Sequence, residues 1–185
     1  GTFLADAPVL PVSAQTGAGL PELLAALDTI AAQAPPRDAA GPFRLPIDRV
    51  FVKQGFGTVV TGTLAAGTIR EGDLVAIEPG GLSSRVRGLH VFGEKRTEAR
   101  AGQRVAVSLV GLEKDAIGRG DWLAAPGLLA PSTLLDVRVE ILPGAKPVAH
   151  RTRIRLHHGA GELIGRLVLL SGEAIEPGEQ ALAQL

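Results

Sequence analysis

Phe43-Arg-Leu-Pro-Ile-Asp-Arg-Val-Phe51 and, six residues on, Gly57-Thr-Val-Val-Thr-Gly62 form the stretch that decides the fold. Phe43, Leu45 and Ile47 sit on alternate positions, and Thr58–Thr63 is rich in β-branched side chains. Period-two alternation with β-branched residues is the pattern of half-buried strands. Leu74–Ile77, Arg85–Val91, Arg104–Leu109 and Trp122–Leu123 continue the pattern. Gly67, Gly72, Gly80-Gly81, Gly102, Gly118 and Gly120 punctuate it as turns. Short strands at fairly regular spacing imply a closed antiparallel barrel over 43–125.

On either side the pattern changes. Upstream, Pro8–Val12 reads as a short apolar strand and Gly17 and Gly19 as a loop. Leu20, Leu23, Leu24, Leu27 and Ile30 then recur at helical spacing, with Pro21 in the first turn. Ala34-Pro-Pro-Arg-Asp-Ala-Ala-Gly-Pro42 cannot continue a helix, so 35–42 reads as a linker after a unit at 1–34. Downstream, 126–131 reads as a second linker. Thr133–Ile141, Arg151–His157, Leu163–Leu170 and Ala181–Leu185 read as strands of a second β unit at 132–185. That unit is short for a barrel and is expected to be incomplete.

Composition narrows the function. Only 3% of the 185 residues are aromatic, so aliphatic side chains must build the core. The formal net charge of +0 argues against wholesale electrostatic binding of nucleic acid and leaves room for a local basic face. A cysteine count of 0 excludes disulfides and thiolate metal sites. No segment has a signal-peptide layout and no apolar run reaches ~18 residues, so a cytoplasmic chain without membrane contact is expected.

Several residues invite a site. Asp48 and Arg49 interrupt an apolar strand, and Arg49 falls in phase with Phe43, Leu45, Ile47 and Phe51. A charge on a core-facing phase is costly unless paired or near a barrel mouth. Either Arg49 snorkels outward, or Asp48 and Arg49 share a pocket with Arg87 and His90 from another strand. Arg151, Arg153, Arg155 and His157 fall on one phase of a strand, and Thr152, Ile154, Leu156 and His158 on the other. The first set is either a solvated face or a phosphate-binding one, with Arg166 adding charge. Adjacent histidines on a strand point to opposite faces, which argues against His157 and His158 as joint metal ligands. Lys95, Arg96, Arg100 and Arg104 are balanced by Glu94 and Glu98 and read as a solvated group. Trp122 reads as packing between barrel strands. No catalytic constellation is evident, and no metal site.

Three motifs carry a resemblance. Gly57-Thr-Val-Val-Thr-Gly62, Gly67-x-Ile-x-x-Gly-Asp73 and Ala101-Gly-Gln-Arg-Val-Ala106 resemble the second domain of elongation factor Tu and its relatives among the translational GTPases. Phe43–Phe51, Arg85-Val-Arg-Gly-Leu-His90, Ile117-Gly-Arg-Gly-Asp-Trp-Leu123 and His157-His-Gly-Ala-Gly-Glu-Leu-Ile-Gly-Arg166 are similar to the selenocysteine-specific elongation factors. The resemblance implies that 1–34 is the C-terminal remnant of a GTP-binding domain, that 43–125 is the second-domain barrel, and that 132–185 is part of the third domain. Ser13 and Ala14 would then be the remnant of a nucleotide-contacting loop. No Gly-x-x-x-x-Gly-Lys-Ser/Thr loop or Asn-Lys-x-Asp motif occurs, so no GTPase activity is expected of these residues themselves.

The family's activity is delivery of selenocysteyl-tRNA to the ribosome, with GTP and Mg in the intact protein. A winged-helix region that reads a messenger RNA hairpin has no counterpart here. Asp48, Arg49, Arg87 and His90 would hold the aminoacyl end. Arg151, Arg153, Arg155, His157, His158 and Arg166 would grip the tRNA. The alternatives are another tRNA-carrying translational GTPase, such as elongation factor Tu or the initiator-tRNA factor, and a protein-binding barrel of a sulfate-activation GTPase subunit.

Overall fold

The computed structural model describes residues 4–185. Helix α1 (Leu20–Gln33) forms where the periodicity placed it. Its Leu24, Leu27 and Ile30 are more than half exposed, so no described residue covers the apolar face. The strand expected at Pro8–Val12 does not form. Among the described residues it has no neighbour to pair with, Val9 is 91% exposed, and Pro8 and Pro11 have no N–H to donate.

The barrel is built from β1 (Arg44–Pro46), β2 (Arg49–Lys53), β3 (Gly57–Thr63), β4 (Thr68–Arg70), β5 (Leu74–Glu78), β6 (Leu82–Val91), β7 (Glu94–Arg96), β8 (Glu98–Arg100), β9 (Arg104–Leu109) and β10 (Trp122–Ala124). The main sheet runs β1-β10-β5-β6-β9-β3-β2, with β7 on β6 and β4 paired to β8. Consecutive strands β1 and β2 therefore lie at opposite ends of the order. The chain closes the barrel by changing partner between them. The Ile47 N–H donates to Asp121 O at 2.8 Å on the β10 side, and the Asp48 N–H to Thr61 O at 2.9 Å on the β3 side.

That change of partner corrects the expected phase. Phe43, Leu45 and Ile47 are buried, but past Ile47 the alternation slips by one residue. Val50 packs against the core while Arg49 is exposed and Phe51 is 38% exposed. Arg49 is thus on the outer face, where a charge needs no buried partner.

Seventeen buried apolar residues, from Phe43 to Leu123, form the barrel's core. A second cluster holds only Ile141, Leu167, Leu169, Ile175 and Ala183. It lies under a sheet of β11 (Asp136–Glu140), β16 (Gln180–Gln184), β14 (Gly161–Leu169) and β13 (Thr152–His158), in that order. The short strands β12 (Val148–Ala149) and β15 (Ala174–Ile175) pair beside it. Leu163, Leu170 and Leu182 remain more than half exposed, so this unit buries far less than the barrel. Among the described residues no helix is long and apolar enough to cross a membrane.

Candidate functional site

The outer face of β2, β3, β9 and β6 gathers most of the expected pocket. Cross-strand register places Arg49 beside Thr61, Thr61 beside Ala106 and Ala106 beside His90. Side chains in one such row point to the same side of a sheet. A cavity of about 370 Å³ opens here, walled by Phe51, Phe56, Phe92, Thr61, His90 and Arg104. The Phe56 ring meets the His90 ring edge-on at 5.8 Å, and Lys53 Nζ stands 4.7 Å over the Phe56 ring. Phe92 is 85% exposed and holds φ at 52°, a backbone conformation unfavourable for a bulky residue.

Asp48 is present, but its principal partner is Arg104 and not Arg49. Arg104 Nη1 and Nη2 both donate to the Asp48 carboxylate, the latter at 3.0 Å, and Thr61 Oγ1 adds a bond at 2.8 Å. The hydrogen bond from Arg104 holds the Asp48 carboxyl below its usual range, with smaller help from Thr61 and from the charges of Arg104 and Arg49, against a rise from burial. The same bond raises Arg104. Asp48, Arg104 and Arg49 thus form a cluster beside the cavity with one surplus positive charge, and Arg104 and Lys53 are the charged residues that line the cavity itself.

Arg104, which the sequence places in a solvated basic group, is instead the partner of Asp48. The missed signal is its own alternation phase. Val105 and Val107 are buried, so Arg104 and Ala106 must face outward with Thr61. Arg87 goes elsewhere. It stands at the bulge between Val86 and Gly88 and lines a separate concavity with Gly57, Leu112 and Glu113.

The Asp48–Arg104 pair predicts a pH dependence. A lowered carboxyl pKa contributes stability that is fully present above the unfolded value of about 3.9 and is lost as pH falls through the folded value. Asp48→Asn is expected to cost ~1 kcal/mol or less near neutrality, because the pair is partly solvated. In urea titrations the deficit should shrink as pH falls through the folded Asp48 value, which lies below the ordinary carboxylate one. A deficit that stays constant as the solution is acidified would mean that the charge pair contributes nothing.

The second candidate face lies on β13 and β14. Arg153, Arg155 and His157 are exposed on one side, with Thr152, Ile154 and Leu156 half-buried on the other. Arg151 does not join them. It precedes the strand with φ 65°, and its N–H is spent on Leu167 O. Glu162 lies 3.2 Å from Arg155 and 4.0 Å from His157. Arg153 and Arg166 are direct cross-strand neighbours, and no described carboxylate lies within ion-pair distance of either. Like charges placed opposite each other repel, and a phosphate between them would relieve that. His158 points the other way and stacks on Trp122, with ring centroids 5.2 Å apart.

The 13–19 turn is held together by the backbone and side chain of Ser13. Ser13 uses its N–H on Ala18 O, its carbonyl on Gly17 N–H and its Oγ on Thr16 N–H. Among the described residues no cluster of acids or histidines could hold a metal ion.

The family model of elongation factor Tu domain 2 matches residues 57–124. A selenocysteine-specific elongation factor of Desulfomicrobium baculatum is 45% identical over the whole chain, which covers 29% of that protein. One from Haemophilus influenzae is 34% identical, again over the whole chain and 29% of its own length. An elongation factor Tu 2 of Streptomyces avermitilis is 36% identical over 88% of the chain and 43% of its own length. The chain thus spans less than half of each of these relatives. Residues 57–124 match the elongation factor Tu domain 2 family model, and along its whole length the chain is similar to the selenocysteine-specific elongation factors.

Proposed function

We propose that the chain binds selenocysteyl-tRNA, taking the aminoacyl end at the Arg104 cavity and the acceptor-arm backbone at the face of Arg153, Arg155 and Arg166. The observation that carries this reading is the Asp48–Arg104 pair, with Arg49 adding its charge, at the mouth of an open cavity. A selenol is more acidic than a thiol and is mostly an anion near neutrality. A thiol with a pKa near ~8.5 is only a few per cent ionised there, and a serine hydroxyl stays neutral. Asp48 engages both Arg104 terminal nitrogens and so fixes the plane of the guanidinium. An arginine has five N–H donors in all, which leaves others for the selenolate. Asp48 can also receive the α-amino group. His90, Phe51 and Phe56 supply the apolar and aromatic wall beside it.

Delivery to the ribosome in the cytoplasm, GTP and Mg binding with GTP hydrolysis, and reading of a messenger RNA hairpin belong, in this proposal, to a longer translational GTPase. The present residues act on the tRNA. Filter binding with selenocysteyl- and seryl-tRNA on one tRNA body tests the reading. A charge-assisted hydrogen bond of ~1.5–3 kcal/mol gives roughly 10- to 150-fold preference for selenocysteine. Raising salt from about 50 to 200 mM should weaken both complexes through the phosphate contacts. Equal affinities at both salts would remove the anion pocket. Failure to bind either tRNA would overturn the claim that these residues suffice.

A further inference from the structure

Two buried side chains stand on the outer side of the barrel wall. On β3, Val60 packs in the core, so its neighbours Val59 and Thr61 face outward. On β9, Val105, Val107 and Leu109 pack in the core, so Ala106 and Ser108 face outward. Val59 and Ser108 are direct cross-strand partners, yet they are only 4% and 2% exposed. Val59 is not part of the barrel's core cluster. Something outside the wall therefore covers the pair. The turn between β2 and β3 supplies that cover. The Phe56 N–H donates to Lys53 O at 2.9 Å, which tightens the turn. The Phe56 ring reaches past β3 and β9 to His90 on β6 and meets it edge-on, with planes 73° apart. Lys53 Nζ stands over the same ring. Val59, Ala106 and Ser108 line the cavity beneath. Gly55 and Gly57 flank Phe56 with φ at 80° and 76°, and a Cβ on Gly55 would meet nothing within 4 Å. Glycine on each side gives the turn backbone freedom that a bulkier residue would remove.

We infer that the 53–57 turn is a hinged cover over the Arg104 cavity, with Phe56 as the side chain that retains what lies inside. Its contacts with His90 and Lys53 hold it closed in the free protein. One is a single ring-edge contact and the other a cation over a partly solvated ring, so each is weak. The turn can therefore swing open on its glycines while the strands of the barrel stay paired. What the cover retains rests on the proposed function. An aminoacyl side chain entering the cavity displaces Phe56 from His90, and the ring closes behind it. The cover acts through access and not through charge. It slows the release of every aminoacyl group alike, while Arg104 chooses among them. Retention and choice thus fall to two residues on different parts of the fold.

The chain has no cysteine, so a single introduced thiol reports access. Ser108→Cys places it under the Phe56 ring and exchanges one atom. Ser83→Cys, at an exposed position of β6, is the open reference. With Phe56 in place, the thiol at 108 should react with an aromatic disulfide reagent at least about tenfold more slowly than the thiol at 83. Phe56→Ala should remove most of that difference, while far-UV circular dichroism confirms that the strands remain. Ala106→Cys, half-buried on the same floor, gives the reading if Ser108→Cys does not fold. Equal rates at the covered and open positions before substitution, or a slow rate that Phe56→Ala leaves unchanged, overturns the cover. In parallel, selenocysteyl- and seryl-tRNA should each dissociate about tenfold faster from Phe56→Ala, with the ratio between them unchanged. Unchanged dissociation, or an effect confined to selenocysteyl-tRNA, would overturn the retaining role. If neither tRNA binds even with Phe56 in place, the proposed function fails, and the thiol rates still decide the cover.

Discussion

Arg104→Ala is expected to bind selenocysteyl- and seryl-tRNA with equal affinity. The substitution removes the donor fork at the cavity mouth and leaves the Asp48 carboxylate without its main partner. The local charge changes from a surplus of one positive to balance between Arg49 and Asp48. Loss of a charge-assisted hydrogen bond costs the anionic side chain about 1.5–3 kcal/mol, and repulsion from the freed Asp48 adds to it. Neutral serine loses almost nothing, so the change appears as lost selectivity rather than general weakening. Arg104→Lys should recover only part of the preference, because an ammonium keeps the charge without the planar fork. Arg87→Ala is the internal comparison. Arg87 lines a different concavity, so selectivity should stay within a factor of about two, the scatter of a neutral surface change. If Arg87→Ala abolished selectivity and Arg104→Ala spared it, the cavity assignment would be wrong.

The largest effect on stability is expected from Gly62→Ala. Gly62 sits on β3 where β1 crosses it, beside the point of closure. A Cβ there would lie 2.2 Å from the Pro46 carbonyl oxygen and 2.9 Å from a Leu45 methyl. Neither neighbour can yield. Pro46 is held in register with Trp122, and Leu45 is fully buried in the core. The methyl group must therefore push β1 off β3 or break the closure bonds at Ile47 and Asp48. Overpacking against backbone costs typically ~1–3 kcal/mol and more where nothing relaxes. For a barrel of this size that corresponds to a midpoint lowered by roughly 5–20 °C. Thermal unfolding followed by far-UV circular dichroism measures it. A shift under about 2 °C would show that closure is not tight at this point.

The barrel strands were legible because their information is local. Alternation and glycine turns located β3, β5, β6, β9 and β10 to within a few residues. The strands β4, β7 and β8 were missed because each is three residues long and buries at most one side chain, so no period shows. The slip at Ile47–Asp48 was invisible for another reason. Alternation assumes one unbroken pleat, and the chain changes sheet partner there. Arg153, Arg155 and His157 do share a face as their spacing indicated, because they stay within one strand. Arg151 does not, because it lies just outside it.

By itself, the sequence determined the longer barrel strands, the helix and the resemblance of 57–124 to elongation factor Tu domain 2, since each is written in short-range pattern and motif. Tertiary structure alone decided which charges meet. Asp48 and Arg104 are 56 residues apart and become partners only because β2 and β9 both flank β3 in the closed sheet. Trp122 and His158 belong to different β units and touch only because a glycine-rich turn lets two backbones approach. Pairing across strands depends on register and closure, which no local pattern encodes.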